Sequence, residues 1–592
     1  MRYHTLPLIA FVVIALAITL PLASGKYVFT LDSIASPSAI HGVKSIEDFI
    51  HGAYLTYPNR GELGLDAASL PKLIVLGILK QFISTSLLQK AEIFLMFFLS
   101  MLSMYMLMRG KPMTRAFAAV FYAINPFTYM RFIAGHWNLL FAYAILPWFI
   151  LELMRKERRP VRIAVLLSII TVFSLHMAII AGIAMLIFVR KNDVRAYSIA
   201  AVAYLLINAY WIFMMFSAAS TAISPLGNAD VLVFDAENDA WNHVATLLTL
   251  HGFWRQDAYL LTPLWLVIPG VLILLYLAVH GYIVCKDKYK HRFLMLGLAG
   301  LILALATTTA VTDTVFRFLY EMIPVFKGFR EPQKFLVLLC ISYAYLAAQG
   351  LSAIPKKARA AALILPFLLT PFLFIGNQII PVDYPADYYE MNAFLNEDKE
   401  DFNVLFLPWH LYLDFSWIEN RDKRIANPAA IFFDKPTIRG DNMELGFVYS
   451  HSSNPISVYV VQNMNKSVTK LSLINVKYVL VAKEYNTTVK DGVLIKETEH
   501  LLLYKNPMPT AKVYASDDLK HVYPLAYMKE NAASYSLNAT SRKYILFTAG
   551  YDKKWKLDGQ EPMQGYPINV YENRNGTRLR YENAFLSIIT FI

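Results

Sequence analysis

The residues able to do chemistry gather between long apolar runs rather than within them. Residues 25–69 hold Asp32, His41, Glu47, Asp48, His51, Arg60, Glu62 and Asp66. Around 134–137 stand His136 and Trp137, with Arg131 and Asn138 close by in sequence. Residues 217–258 hold Asp235, Glu237, Asp239, His243 and His251, and residues 312–334 hold Arg317, Glu321, Lys327, Arg330, Glu331 and Lys334. Carboxylates and imidazoles move protons, and a guanidinium grips phosphate oxygens with its planar fork. Such groups at the ends of apolar runs suit a substrate whose tail lies in lipid and whose head lies in water. Secondary transporters keep coupling groups near the bilayer midplane, often on related halves, and neither feature is present. Asp235, Glu237 and Asp239 lack the Gly and terminal Glu of a calcium loop and read as a solvated segment. No P-loop, dinucleotide fingerprint or zinc spacing occurs, so no cofactor is indicated; a divalent metal stays open.

The elements that must position these groups follow from composition. Of 592 residues, 56% are hydrophobic and 17% charged, against about 25% charged in an ordinary soluble domain. That excludes a disordered chain, a coiled coil and a collagen-like fibre. The net charge is +12, yet much of the Lys and Arg sits in short runs between apolar stretches. This is the pattern of cytoplasmic loops, not of a nucleic-acid groove. Cys285 and Cys340 lie in or beside apolar segments and read as packing residues. Apolar runs at 6–23, 91–108, 115–133, 138–154, 162–176, 177–189, 196–216, 259–284, 293–311, 335–353 and 360–376 predict about eleven membrane-spanning helices. Residues 70–88 are also apolar but carry Lys72 and Lys80. A lysine at the bilayer centre costs about 2.5–3.5 kcal/mol, so an interfacial helix is predicted there.

Every second loop is basic, from Arg109, Lys111 and Arg115 to Lys356, Lys357 and Arg359. The positive-inside rule makes these loops and the N-terminus cytoplasmic, in a multi-pass plasma-membrane protein. The chemistry-bearing loops and the tail then face outside. Residues 1–377 are predicted as the transmembrane domain and 378–592 as an extracytoplasmic α/β or α+β domain. In that tail, β-rich runs at 402–407, 458–461, 476–482, 501–504 and 544–549 are punctuated by Gly and Pro, and 585–592 reads as a final strand. All four Asn-x-Ser/Thr sequons, at Asn465, Asn486, Asn538 and Asn575, fall in the tail, which agrees with an outside location.

Several strings carry a resemblance. They are Phe29-Thr30-Leu31-Asp32, Asn125-Pro126-Phe127, Gly135-His136-Trp137-Asn138 leading to Leu146-Pro147-Trp148, and Phe329-Arg330-Glu331-Pro332 before Lys334-Phe335. In the tail they are Asn475-Val476-Lys477-Tyr478-Val479 and Gly550-Tyr551-Asp552-Lys553-Lys554-Trp555. With the long first outer loop, the chain resembles the GT-C superfamily of polytopic membrane glycosyltransferases, and within it YfhO-like and arabinofuranosyltransferase-like membrane proteins. The oligosaccharyltransferase string Trp-Trp-Asp-Tyr-Gly is absent, which argues against that branch.

The resemblance implies a transferase that moves a sugar from a polyprenyl-phosphate-linked donor to an acceptor at the outer surface, whether glycan, lipid or glycoprotein. No nucleic-acid partner is expected. It implies Asp32 as the base for the acceptor hydroxyl, with Asp48 or Glu47 as alternates. Arg330, Lys334, Arg131 and His136 are then expected to hold the donor's phosphate or sugar. Other roles stay open: Asp32 also fits a helix cap, Arg330 with Glu331 a surface pair, and His136 with Trp137 an interfacial anchor. A transporter or flippase of lipid-linked glycans and a non-catalytic scaffold with an outer binding domain are the competing readings.

Overall fold

The computed structural model describes residues 2–35, 37, 67–217, 240–254, 264–375, 378–445, 448–450, 454–531 and 533–582. Glu47, Asp48, the 230–239 acidic segment and the 585–592 run lie outside the described residues.

The N-terminal region is helical. Helix α1 (Arg2–Thr19) leads to a loop that carries Asp32, and α2 (Leu70–Leu79) and α3 (Thr85–Leu107) follow. The apolar 70–88 run is thus two helices. Ser84 divides them, capping α3 by accepting a hydrogen bond from the Leu87 N–H at 3.3 Å. Next come α4 (Pro112–Ala123), α5 (Pro126–Ile133) and α6 (Trp137–Met154). After them are α7 (Pro160–Phe173), α8 (Leu175–Phe188), α9 (Val194–Ile207), α10 (Ala209–Ser217) and α11 (Ala240–Leu248). The series ends with α12 (Leu264–Val284), α13 (Lys290–Leu305), α14 (Ala310–Met322), α15 (Leu336–Ala353), α16 (Lys356–Ala362) and α17 (Leu365–Leu369).

Among the described residues, five helical stretches are long and apolar enough to cross a membrane: Thr5–Leu22, Thr85–Leu107, Trp137–Met154, Val267–Val284 and Pro332–Ala353. Helices α13 and α14, bent by 86° at their break, make a sixth if counted as one span. This does not reach eleven, because hydropathy reads runs and not breaks. The 115–133 run divides where Asn125 caps α5, its side chain accepting from the Thr128 N–H at 3.1 Å, with Pro126 in the first turn. The expected division of 162–189 falls at Ser174, which caps α8. Helices α7, α8 and α9 have 14 residues each, about 21 Å at 1.5 Å per residue, against a hydrocarbon core of about 30 Å.

Leu70 and Ile74 of α2 pack with Tyr535 and Trp555 of the tail, while most of the helices share one apolar core. At its tightest crossing α12 meets α15 through Gly281 and Gly350. A Cβ on Gly281 would stand 1.9 Å from the Leu346 carbonyl oxygen, so only glycine lets these backbones approach.

The C-terminal region is sheet-rich. It opens with α18 (Ala386–Glu397), β1 (Asn403–Leu407), β2 (Tyr412–Asp414), β3 (Arg424–Ala426), α19 (Ala429–Phe432), β4 (Thr437–Ile438), β5 (Met443–Leu445) and β6 (Val448–Ser450). Then come α20 (Pro455–Asn463), β7 (Val476–Ala482), β8 (Val493–Glu497) and β9 (Leu501–Lys505). A mixed five-stranded sheet has the order β4-β1-β7-β9-β8, with β1 parallel to β4 and β7. Strands β10 (Val513–Ser516), β11 (Val522–Pro524), β12 (Tyr527–Asn531), β13 (Ser534–Leu537), β14 (Tyr544–Gly550), β15 (Trp555–Leu557), β16 (Ile568–Glu572) and β17 (Arg578–Tyr581) follow among the described residues. They form two four-stranded antiparallel sheets, β11-β10-β14-β16 and β12-β13-β17-β15.

One predicted strand is corrected: residues 458–461 lie in α20. Asn454 caps that helix, accepting from the Ile456 N–H at 2.8 Å, and Pro455 occupies its first turn. This start signal overrides the β propensity of Val458, Val460 and Val461.

Candidate functional site

Asp32 is placed by two chain segments that grip its loop. On the helical side, its N–H donates to the Ala134 carbonyl at 3.0 Å. Gly135 lies directly beneath, at φ +85°. A Cβ there would come within 2.2 Å of Thr30 Oγ1 and 2.5 Å of the Ser33 nitrogen. On the tail side, the Ala426 N–H donates to the Leu31 carbonyl at 2.7 Å, and Asn420 Nδ2 donates to the Phe29 carbonyl at 2.7 Å. Tyr27 pairs with Val382 as an antiparallel bridge. Phe29 packs edge-on against Tyr384 and Trp417, inside the core of the sheet-rich region.

Around Asp32 a chain of contacts runs inward. His136, at the N-terminus of α6, brings Nε2 to 2.8 Å from Asp32 Oδ2. Its Nδ1 is 2.9 Å from Arg131 Nη1 at the end of α5. A guanidinium only donates, so Nδ1 accepts and Nε2 carries the hydrogen given to Asp32. Arg131 Nη1 also meets Glu331 Oε2 at 2.6 Å, and Lys334 Nζ lies 3.7 Å from Glu331 Oε1. The Arg131 guanidinium stacks over Phe253 at 4.6 Å. Burial alone would push the Glu331 carboxyl up. The Lys334 ammonium and the Arg131 guanidinium reverse this and hold it well below the ordinary range.

Exposure sorts these groups. The side chains of Arg131 and Glu331 are 1% and 8% exposed, and Lys334 10%. Asp32 is 30% exposed and is the member that a substrate can reach. Its second oxygen, Oδ1, accepts from the Tyr412 hydroxyl at 2.6 Å, across from β2. Burial and the adjacent Asp32 carboxylate push the Tyr412 phenol well above its usual value.

Asp32 also lines a cavity of about 270 Å³, with Lys72, Leu76 and Lys80 of the α2 segment, Glu92 of α3 and Asn138 of α6. Lys72 Nζ donates to Asn138 Oδ1.

Of the residues expected from sequence, the structure gathers Asp32, His136, Arg131 and Lys334 into one network, with Arg330 close enough for its charge to act on Tyr412 and Lys334. His136 has both ring nitrogens engaged within the protein. Arg131 and Lys334 face Glu331 in the interior. Tyr412 was not legible: 380 positions separate it from Asp32 and no local pattern marks it. Lys72 and Lys80 did leave a signal, as charges four and four residues from Leu76 on an otherwise apolar helix.

No family model matches the chain, and no curated protein matches it in sequence. Its structure is similar to that of the arabinofuranosyltransferase AftD from Mycobacteria, with 13% identity and a TM-score of 0.55 over 86% of this chain and 41% of that one. A mutant form of AftD aligns with 13% identity and a TM-score of 0.54, over 86% of this chain and 42% of that one. The apo oligosaccharyltransferase of Archaeoglobus fulgidus aligns with 12% identity and a TM-score of 0.41, over 86% and 75%. The chain spans about two fifths of the AftD structures it matches. The AftD likeness is one of fold, and at 86% of the chain it takes in both the helical and the sheet-rich region; it agrees with the fold that the resemblance drawn from the sequence implies.

Proposed function

We propose that this protein is a membrane glycosyltransferase that moves a sugar from a polyprenyl-phosphate-linked donor to an acceptor hydroxyl at the outer membrane surface. One observation carries the reading: Asp32, oriented by His136 and Tyr412, is the exposed carboxylate of a cation-rich network and opens onto a cavity. The AftD-like fold supports it.

Each carboxylate oxygen has two acceptor positions, and the protein engages one on each. Room remains for the acceptor hydroxyl. Its oxygen attacks the anomeric carbon, its proton passes to Asp32, and the bond from that carbon to the phosphate oxygen breaks with its electron pair leaving on the phosphate. A hydroxyl needs such a base within hydrogen-bond reach, while phosphate leaves without a general acid. His136 and Tyr412 keep the carboxylate aimed. Arg330, partly exposed beside Tyr412, adds positive charge for the phosphate, and the Arg131–Glu331–Lys334 cluster fixes His136 from behind. Asp48 and Glu47 remain alternate bases.

The proposed topology keeps the N-terminus and basic loops in the cytoplasm and puts Asp32 and residues 378–592 outside. The tail would then meet the acceptor.

The test is sugar transfer from radiolabelled polyprenyl-phosphate sugars in membranes, wild type beside Asp32→Asn. Transfer by wild type and its loss in a folded variant is the expected result. Equal transfer by both would remove Asp32 from the reaction. No transfer by either, with any donor, would move the flippase and scaffold readings ahead.

A further inference from the structure

Helix α2 has two faces of different chemistry. Val75 and Ile78 on the helix and Phe82 just beyond its end are 55%, 52% and 83% exposed. In a membrane protein such a face belongs against lipid. The other face turns Lys72, Leu76 and Lys80 to the cavity that Asp32 lines. Residues four apart stack along one side of a helix, so the two ammonium groups stand two turns apart on the same wall. Lysines in an apolar helix at a membrane are costly unless they have a partner. Lys72 donates to Asn138, and Glu92 faces both lysines from α3.

The lining itself balances, Lys72 and Lys80 against Asp32 and Glu92. The surplus lies behind it, where Arg131, Arg330 and Lys334 face one carboxylate, Glu331, and three less one leaves two positive charges. Arg131 and Lys334 are engaged by Glu331 in the interior, and Arg330 is not among the residues lining the cavity. The cations that a ligand entering the cavity meets are Lys72 and Lys80. Burial pushes the Lys80 ammonium down and Glu92 pulls it back up. An arriving anion would act in the same direction as Glu92.

We propose that Lys72 and Lys80 bind the phosphate of a lipid-linked ligand, which enters beside the apolar face of α2 and places its head group against Asp32. Lysine suits this task as a strongly hydrated point charge on a flexible stem that can follow a mobile head group. The proposal deepens the glycosyltransferase reading by naming where the donor's phosphate docks.

Binding without turnover tests it. Full-length protein in phosphatidylcholine nanodiscs is titrated with farnesyl phosphate, farnesol and inorganic phosphate, read by the rise in thermal unfolding midpoint. Farnesyl phosphate is expected to bind, and both halves of it, farnesol and inorganic phosphate, at least about tenfold more weakly. Lys72→Gln and Lys80→Gln are each expected to weaken farnesyl phosphate by about tenfold, the scale of one charge-assisted hydrogen bond. Lys72→Arg and Lys80→Arg keep the charge and should retain binding, which separates lost affinity from lost folding. Lys356→Gln, on exposed α16, should leave affinity unchanged. Equal binding of inorganic phosphate, or unaltered affinity in both Gln variants, overturns the proposal, as does loss of binding in Arg330→Gln alone. Failure here with Asp32→Asn inactive in transfer leaves the transferase reading intact. Lysine-dependent binding with Asp32→Asn fully active would instead keep this site and remove the proposed role of Asp32.

Discussion

At the scale of single residues, the site is ordered by what each group can donate. Arg131 cannot accept, so it fixes the tautomer of His136, and His136 in turn can only donate to Asp32. Tyr412 donates to the other carboxylate oxygen. Tyr412→Phe removes one of the two donors that aim the carboxylate and leaves His136 in place. Transfer kcat is therefore expected to fall at least about tenfold with KM little changed. An unchanged kcat in a folded variant would show that the Tyr412 hydroxyl does not aim the base. Glu331 is a stability group. Glu331→Gln leaves Arg131 and Lys334 in the interior without their carboxylate, at an expected cost of about 3–5 kcal/mol. Because cations hold the folded-state pKa of Glu331 below its ordinary value of 4.5, its contribution is complete above that value. It is lost as pH falls through the folded-state value. Thermal unfolding of wild type and variant should thus differ at neutral pH and converge in acid. A gap that widens in acid would contradict the pairing.

At the scale of elements, the turn from α5 to α6 does the positioning, and its parts were uneven in legibility. Asn125-Pro126 is a helix start readable from sequence, yet it was absorbed into one apolar run because hydropathy averages over a cap. The break at Ser174 between α7 and α8 was legible to within a few residues, since 162–176 and 177–189 read as separate runs. His136 and Asp32 were both legible as candidates, since an ionisable residue beside an apolar run stands out. Their contact was not, because it depends on Gly135 letting the Asp32 loop lie against the turn. Gly135→Ala tests this. Its φ of +85° disfavours any side chain, and its Cβ would strike Thr30 and the Ser33 backbone. The turn must open, so transfer activity is expected to fall at least about tenfold for a stability loss of only about 1–3 kcal/mol. Full activity in Gly135→Ala would mean that the Asp32 loop has an alternative route to the site.

At the scale of the whole molecule, the loop after α1 is shared between the two regions. Composition separated an apolar first part from a mixed tail, and that contrast survives folding. It could not reveal that Phe29 and Ala35 join the tail's core, because contacts between residues nearly 400 positions apart leave no local periodicity. The consequence is mechanical: the sheet-rich region holds the backbone that carries Asp32. Asn420 is the joint. It is 6% exposed, donates to the Phe29 carbonyl at 2.7 Å and accepts from the Ile380 N–H at 2.8 Å, and it touches neither Asp32 nor the cavity. Asn420→Ala leaves a buried carbonyl and a buried N–H unpaired, each worth about 1–3 kcal/mol. If the tail only presents an acceptor, the variant should raise the acceptor KM and leave residues 27–35 as protected from hydrogen exchange as before. If the tail braces the base, exchange in 27–35 should speed up together with that around 380, and kcat should fall while the acceptor KM holds. The geometry favours the second outcome, since the tail bonds to the backbone of residues 27, 29 and 31 while the helical region bonds to Asp32 itself.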